Sequence, residues 1–181
     1  MRVISGTARG KPLKTPVGMA TRPTADRVKE AMFSILQFEI AGAKVLDLFG
    51  GTGQLGIEAL SRGALEADFV DHRDEACRLI RDNLKSTGLS NNGCVIRSDY
   101  AAYLRTCKKK YNIILLDPPY ADVFLENSLK IITEIDILQS GGIIVTERPV
   151  EKELNADFEG FIRSKDYKYG KTLLTLFRKN A

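Results

Sequence analysis

Sulfur and imidazole are scarce in this chain: Cys77, Cys94 and Cys107 are the only cysteines and His72 the only histidine among 181 residues. The cysteines are odd in number and none are spaced as Cys-x-x-Cys, which argues against a disulfide framework and against a zinc site. Long apolar runs are missing too. None approaches the roughly 20 residues that cross a bilayer, and the Met-Arg-Val-Ile-Ser-Gly start lacks the apolar segment of about 7–15 residues that marks a secretory signal. A cytoplasmic protein is expected, with neither membrane nor metal among its partners. What remains, 44% hydrophobic and 28% charged residues, is the composition of a globular chain, long enough to bury roughly 70% of its unfolded surface.

The net charge of +4 is unevenly spread. Residues 1–30 carry seven cations (Arg2, Arg9, Lys11, Lys14, Arg22, Arg27, Lys29) against Asp26 and Glu30, so the other 151 residues net −1. Such asymmetry points to an N-terminal surface for a polyanion. Residues 1–20 alternate short apolar and polar residues around Gly6, Gly10 and Pro12 and read as a basic hairpin or arm, with residues 21–181 as a single domain. Removing residues 1–20 is then expected to weaken binding of that polyanion and to spare a ligand held by the remaining domain.

From Arg22 the pattern changes. Thr24 stands as the cap of a helix whose apolar face is Val28, Met32, Ile35 and Leu36. Lys44–Phe49 reads as a strand, followed at once by Gly50-Gly51-Thr52-Gly53-Gln54-Leu55-Gly56 and a helix to Arg62. Phe69-Val70-Asp71 is a second strand, with a helix from Asp74 to about Ser86 that turns Cys77, Ile80 and Leu84 inward and stops at Gly88. Cys94-Val95-Ile96 leads to Ser98-Asp99-Tyr100 and a helix to Thr106. The run Ile113–Leu116 ends in Asp117-Pro118-Pro119-Tyr120, and a helix carrying Leu125, Leu129, Ile132 and Ile135 follows. Ile143-Ile144-Val145 is a fifth strand, ending at Glu147-Arg148-Pro149. Strands alternating with helices give a parallel, doubly wound α/β sheet. The last runs, Phe161 to about Tyr169 and Lys171–Arg178, form a hairpin, so at least one strand is antiparallel.

Asp117 therefore closes a strand buried on both faces, and two prolines fix the backbone beyond it. Ligands bind outside the carboxyl ends of such strands. A rigid corner of one carboxylate, one free carbonyl and one ring suits a flat, amino-bearing base, although the same four residues also serve as a tight strand exit. The glycine loop permits positive φ and leaves the following helix N-terminus open to a ligand. Gly51-x-Gly53-x-x-Gly56 has the dinucleotide spacing, so glycines alone leave a nicotinamide enzyme open. Asp47 argues the other way: just before the loop it opposes a pyrophosphate but accepts from the ammonium of S-adenosylmethionine. Asp71, about 20 residues past the loop, is placed for ribose hydroxyls, and Asp99-Tyr100 for an adenine ring. A solvated acid and a helix cap are the plainer readings of Asp71 and Asp99.

At this point a resemblance is explicit. Asp47–Gly56 resembles the cofactor loop of class I methyltransferases, and Asp-Pro-Pro-Tyr the amino-group site of N-methyltransferases acting on nucleobases. Ile4-Ser-Gly-Thr-Ala-Arg-Gly10, the stretch Arg22–Leu36 and the terminal Leu-Phe-Arg extend the likeness over nearly the whole chain to the RsmD-type 16S ribosomal RNA guanine-N2 methyltransferases. Two departures stand out: Gln54 where that family usually has a small residue, and Asp71 where it more often has glutamate. The resemblance implies a Rossmann-like, mostly parallel seven-stranded sheet with helices on both faces. It also implies S-adenosylmethionine held by Asp47, Phe49, Gly50, Gly51, Gly53, Asp71, Asp99 and Tyr100, and a guanine amino group held by Asp117, Pro118, Pro119 and Tyr120. The expected substrate is ribosomal RNA within a small-subunit particle, met by Arg2, Arg9, Lys11, Arg22, Thr24 and Arg27. An adenine-N6 enzyme and a bare RNA-binding module are the rival readings; a protein-glutamine enzyme normally has asparagine at the position of Asp117.

Overall fold

A computed structural model describes residues 1–16, 23–119, 123–154 and 157–180, without the side chains of residues 23–25. Arg22, Tyr120 and the side chain of Thr24 lie outside the described residues. Helix α1 (Pro23–Ile35) leads into β1 (Lys44–Asp47), α2 (Gln54–Ser61), β2 (Glu66–Asp71), α3 (Asp74–Thr87), β3 (Gly93–Arg97), α4 (Tyr100–Thr106), β4 (Tyr111–Leu116), α5 (Val123–Ile135) and β5 (Leu138–Pro149). Three further strands, β6 (Phe161–Arg163), β7 (Tyr167–Tyr169) and β8 (Thr172–Lys179), complete one sheet in the order β3-β2-β1-β4-β5-β8-β6, with β7 also on β8. β1 to β5 are mutually parallel; β8 runs antiparallel to β5. The order reverses between β1 and β4, which opens a crevice at their carboxyl ends.

Period-2 alternation sorts the sheet's two faces. Val45, Phe69, Leu115, Val145 and Leu174 pack with α1, α2, α3 and the N-terminal segment; Leu46, Val70, Ile114, Leu116, Ile144 and Phe177 pack with α4 and α5. Burial on both faces is why the strands read as unbroken apolar runs. Close approach of α2 to the sheet depends on Gly56, where a Cβ would stand 2.2 Å from Phe69 Cε1. Gly88, at φ +78°, ends α3 as expected.

Three local expectations need correction. The helix begins at Pro23, ahead of the expected cap Thr24; a proline at the first helical position gives up an N–H that has no partner there anyway. The run expected from Phe161 to Tyr169 is two strands, broken at residues 164–166, where Asp166 turns to accept from Arg148 Nη2 and Thr175 Oγ1. β5 pairs with one edge of β8, so β6 and β7 share the other; eight strands thus fill seven positions. β5 itself starts five residues earlier than the Ile143 run, because Gly141 at φ +71° absorbs a register irregularity opposite Tyr111–Ile113.

Residues 1–13 fold back on themselves, with Val3 N–H donating to Lys11 O and Leu13 N–H to Met1 O. Val3, Ala8 and Leu13 are buried in the core. The carboxylate of Glu58, on α2 and fully buried, accepts from the N–H groups of Ile4 and Ser5 and from Arg62 Nε.

Candidate active site

The carboxyl edge of the sheet gathers acids on one face. Val45 and Asp47, Phe69 and Asp71, and Val145 and Glu147 are two residues apart on their strands, so each acid faces the same side as the core residue before it. Asp117 is two residues past Leu115 and one past the last β4–β5 register pair, Leu116 with Thr146. Glu147 is likewise one past Thr146, so the two acids stand side by side, and Asp117 lies between Asp47 on β1 and Glu147 on β5.

Their electrostatics follow from that crowding. Burial, opposed by the hydrogen bond from Gly56 N–H and reinforced by Asp117 and Asp71, raises Asp47 to about 7. Burial raises Asp117 to about 6. Burial and then Asp117 raise Glu147 to about 8. Among the described residues neither Asp117 nor Glu147 has a hydrogen-bond partner, and Asp47 uses only Oδ2, at 3.0 Å from Gly56 N.

Asp71 is different. Burial would raise it, but hydrogen bonds from Arg73 and the Gly51 N–H hold it below the usual carboxylate range. Oδ1 accepts from Arg73 N at 2.9 Å and Nε at 3.2 Å; Oδ2 accepts from Gly51 N at 3.0 Å and Arg73 Nη2 at 3.2 Å. A carboxylate offers about four lone-pair sites, and here all four are used.

The loop between β1 and α2 turns on Gly51 (φ +56°) and Gly53 (φ +79°), and Gly50 N–H donates to Val70 O at 2.8 Å. Gln54, the first residue of α2, keeps its buried Oε1 without a partner. Asp99 is exposed and caps α4, Oδ1 accepting from Ala101 N and Ala102 N. Phe49 and Tyr100 meet at 5.4 Å between ring centroids, and Phe124, which periodicity on α5 did not single out, joins them at 6.3 and 5.6 Å. Phe49 follows β1 and Tyr100 opens α4 after β3, so this ring cluster stands at the carboxyl ends of the same strands.

Of the cations expected to meet RNA, Arg2, Arg9 and Arg27 are exposed and line one cavity of about 430 Å3, together with Asp26 and Glu30. Lys11 donates to Thr87 O at 3.0 Å. Lys29, counted in the basic stretch, is only 2% exposed and donates to Arg2 O at 2.7 Å beside Glu58; it is a structural cation. Burial lowers its pKa against the pull of Glu58 and Asp26.

Apart from the Arg73 clasp on Asp71, no positive charge meets these acids among the described residues. Three acids sit above their usual range with no cation on them, and one buried acceptor is idle at the glycine loop. S-adenosylmethionine, with a sulfonium and an ammonium, fits that donor set; the pyrophosphate of a nicotinamide dinucleotide would add negative charge to it. No group of acids, histidines and cysteines able to hold a metal occurs among the described residues, and no described helix is long and apolar enough to cross a membrane.

The reversed strand order, the glycine loop and the acid-lined carboxyl edge define an S-adenosylmethionine-dependent methyltransferase with the Rossmann-like class I fold. The family model described as Conserved hypothetical protein 95 matches residues 1–178, and the chain belongs to that family. It is 38% identical to the Bacillus subtilis protein named putative rRNA methyltransferase YlbH, over 100% of both chains. It is 34% identical to ribosomal RNA small subunit methyltransferase D of Escherichia coli K12, over 85% of this chain and 77% of the relative. The solved structure of the putative methyltransferase yhhF from Escherichia coli superposes with a TM-score of 0.91 at 28% identity, covering 100% of this chain and 98% of the other.

Proposed function

We propose that the protein is a cytoplasmic enzyme that methylates the exocyclic N2 amino group of a guanine in small-subunit ribosomal RNA, the RNA being presented in a particle. The observation that carries this reading is Asp117: a partly buried, partner-free carboxyl at the end of β4, between the cofactor loop and β5. The relatives named for ribosomal RNA supply the substrate class.

Bound S-adenosylmethionine supplies an electrophilic methyl group. Asp47 would take the cofactor's ammonium at its open Oδ1, the glycine loop its backbone contacts, Asp71 its ribose, and Phe49 with Tyr100 its adenine. A guanine amino group is a poor nucleophile because its lone pair is delocalised into the ring. Asp117 and the Pro118 carbonyl, accepting its two N–H bonds, hold the nitrogen toward pyramidal geometry and aim the lone pair. Pro119 keeps that carbonyl fixed, and Tyr120 would stack on the extruded base. Orientation of this kind contributes several kcal/mol, with about 7–11 as the ceiling. Asp117 need not remove a proton first; methylation makes the amine acidic, and the carboxylate then receives the proton it sheds.

Nucleoside mass mapping of ribosomal RNA from a deletion strain is expected to show one N2-methylguanosine missing. Asp117→Ala should abolish its restoration, by at least about 10³-fold in kcat, with cofactor Kd nearly unchanged. Loss of a methyladenosine instead, or wild-type turnover in that variant, would overturn the assignment.

A further inference from the structure

We infer that Glu147 selects guanine at this site, its carboxyl reading the N1–H and O6 edge next to the amino group held by Asp117. The inference rests on the proposed guanine-N2 reading and asks what makes that site refuse other amino-bearing bases.

The placement comes from register. Leu116 pairs with Thr146, so Asp117 and Glu147 are the next residues on adjacent parallel strands and face the same side. Glu147 is also anchored from its other side. β5 is paired with β8 from Ile143 to Pro149, Glu147 opposite the fully buried Leu174. Its neighbour Arg148 points to the other face, where it donates to Lys152 O at 2.5 Å and Asp166 Oδ2 at 2.6 Å. The strand end is therefore fixed, while the Glu147 carboxyl itself makes no hydrogen bond among the described residues. A half-buried carboxyl left unpaired on such a fixed strand end costs free energy in the free protein. A ligand that pairs it recovers that cost.

Guanine matches the pair in order. With its N2 amino group on Asp117 and the Pro118 carbonyl, the next atoms along the ring edge are N1–H and then O6. Burial and the neighbouring Asp117 push Glu147 up to about 8, so at neutral pH it carries its proton. A neutral carboxyl pairs with that edge twice, its carbonyl accepting from N1–H and its hydroxyl donating to O6. Adenine, placed by its own amino group, offers a bare N1 and then a C–H, which is one hydrogen bond at most and none once Glu147 ionises. Discrimination of about 10- to 100-fold is what one bidentate contact supplies.

The test uses reconstituted small subunits whose RNA carries, by ligation, guanine or 2-aminopurine at the mapped target. 2-Aminopurine keeps the acceptor amino group and lacks both N1–H and O6. Wild-type protein should prefer guanine by about 10- to 100-fold in kcat/KM. Glu147→Gln presents the same carbonyl and N–H pattern as the neutral carboxyl and should keep that preference. Glu147→Ala should lose guanine activity by a similar factor, methylate the two substrates about equally and bind S-adenosylmethionine as before. A preference that survives in Glu147→Ala, or that Glu147→Gln abolishes, overturns the role of Glu147. Methylation of neither substrate by the wild-type protein overturns the guanine-N2 reading itself, a distinct result.

Discussion

Asp71 spends all four of its lone pairs on the protein, three of them on Arg73, whose side chain is otherwise half exposed. A ribose can reach this carboxylate only when the guanidinium lets go. Replacing Arg73 with alanine should therefore tighten S-adenosylmethionine binding about 2- to 10-fold, the worth of hydrogen bonds no longer broken on binding. Calorimetric titration of the two proteins measures it, and equal or weaker binding by the variant would count against ribose recognition by Asp71. The acids at the strand ends were legible in the sequence, because a buried apolar run announces where it stops. Arg73 was not, since a clasp between residues two apart depends on rotamers that no periodicity encodes. Glu147 stood in plain view at the end of the fifth strand. Its relation to Asp117 was hidden because register between strands 30 residues apart leaves no local mark.

At the level of elements, the N-terminal segment pairs back on itself as a small hairpin, Arg2 bridging Pro12, and the structure adds that this hairpin is packed into the core. Residues 1–20 were read as a basic hairpin or arm whose removal would spare cofactor binding. Val3, Ala8 and Leu13 are core residues, and Glu58 on α2 binds the turn through two backbone N–H groups. Truncation would open the core, so it tests folding and not docking. What the structure corrects is Lys29, counted with the surface cations, and the reason lies in α1: the apolar positions Val28, Met32, Ile35 and Leu36 mark the stripe, but Phe33 is fully buried as well and Lys29 lies in the same row one turn before it. A lysine at a stripe's margin looks solvated until the acid that meets it is known, and Glu58 is 29 residues away. Glu58→Ala leaves Lys29 buried near Asp26 at 4.0 Å as its remaining acid and strands two N–H groups. Destabilisation of about 3–5 kcal/mol is expected, read as a lower denaturant midpoint at unchanged slope. A loss under about 1 kcal/mol would mean that the turn holds by apolar packing alone.

For the whole molecule, alternation of strands and helices foretold the layered sheet, and composition foretold its lopsided charge, but only the fold shows which cations are free to act. Lys29 is buried, Lys14 pairs with Asp82 at 2.8 Å, and Lys11 is bound to the end of α3. Among the described residues of that stretch, this leaves Arg2, Arg9 and Arg27 as exposed guanidiniums around one cavity. Guanidinium is weakly hydrated and forks onto phosphate oxygens, while Asp26 and Glu30 at the same cavity would oppose phosphate close to themselves. Guanidiniums dominate this surface, so affinity should come mainly from phosphates and shape. Changing all three arginines to glutamine should flatten the plot of log K against log salt by about 2 to 3 units, each lost phosphate contact contributing about 0.7–0.9. Cofactor Kd and thermal stability should stay near the wild-type values, because none of the three side chains enters the core. Filter binding of small-subunit RNA between low and moderate salt reads the slope directly. An unchanged slope with unchanged affinity would show these arginines to be an ordinary solvated surface, and the RNA would then have to approach from another face.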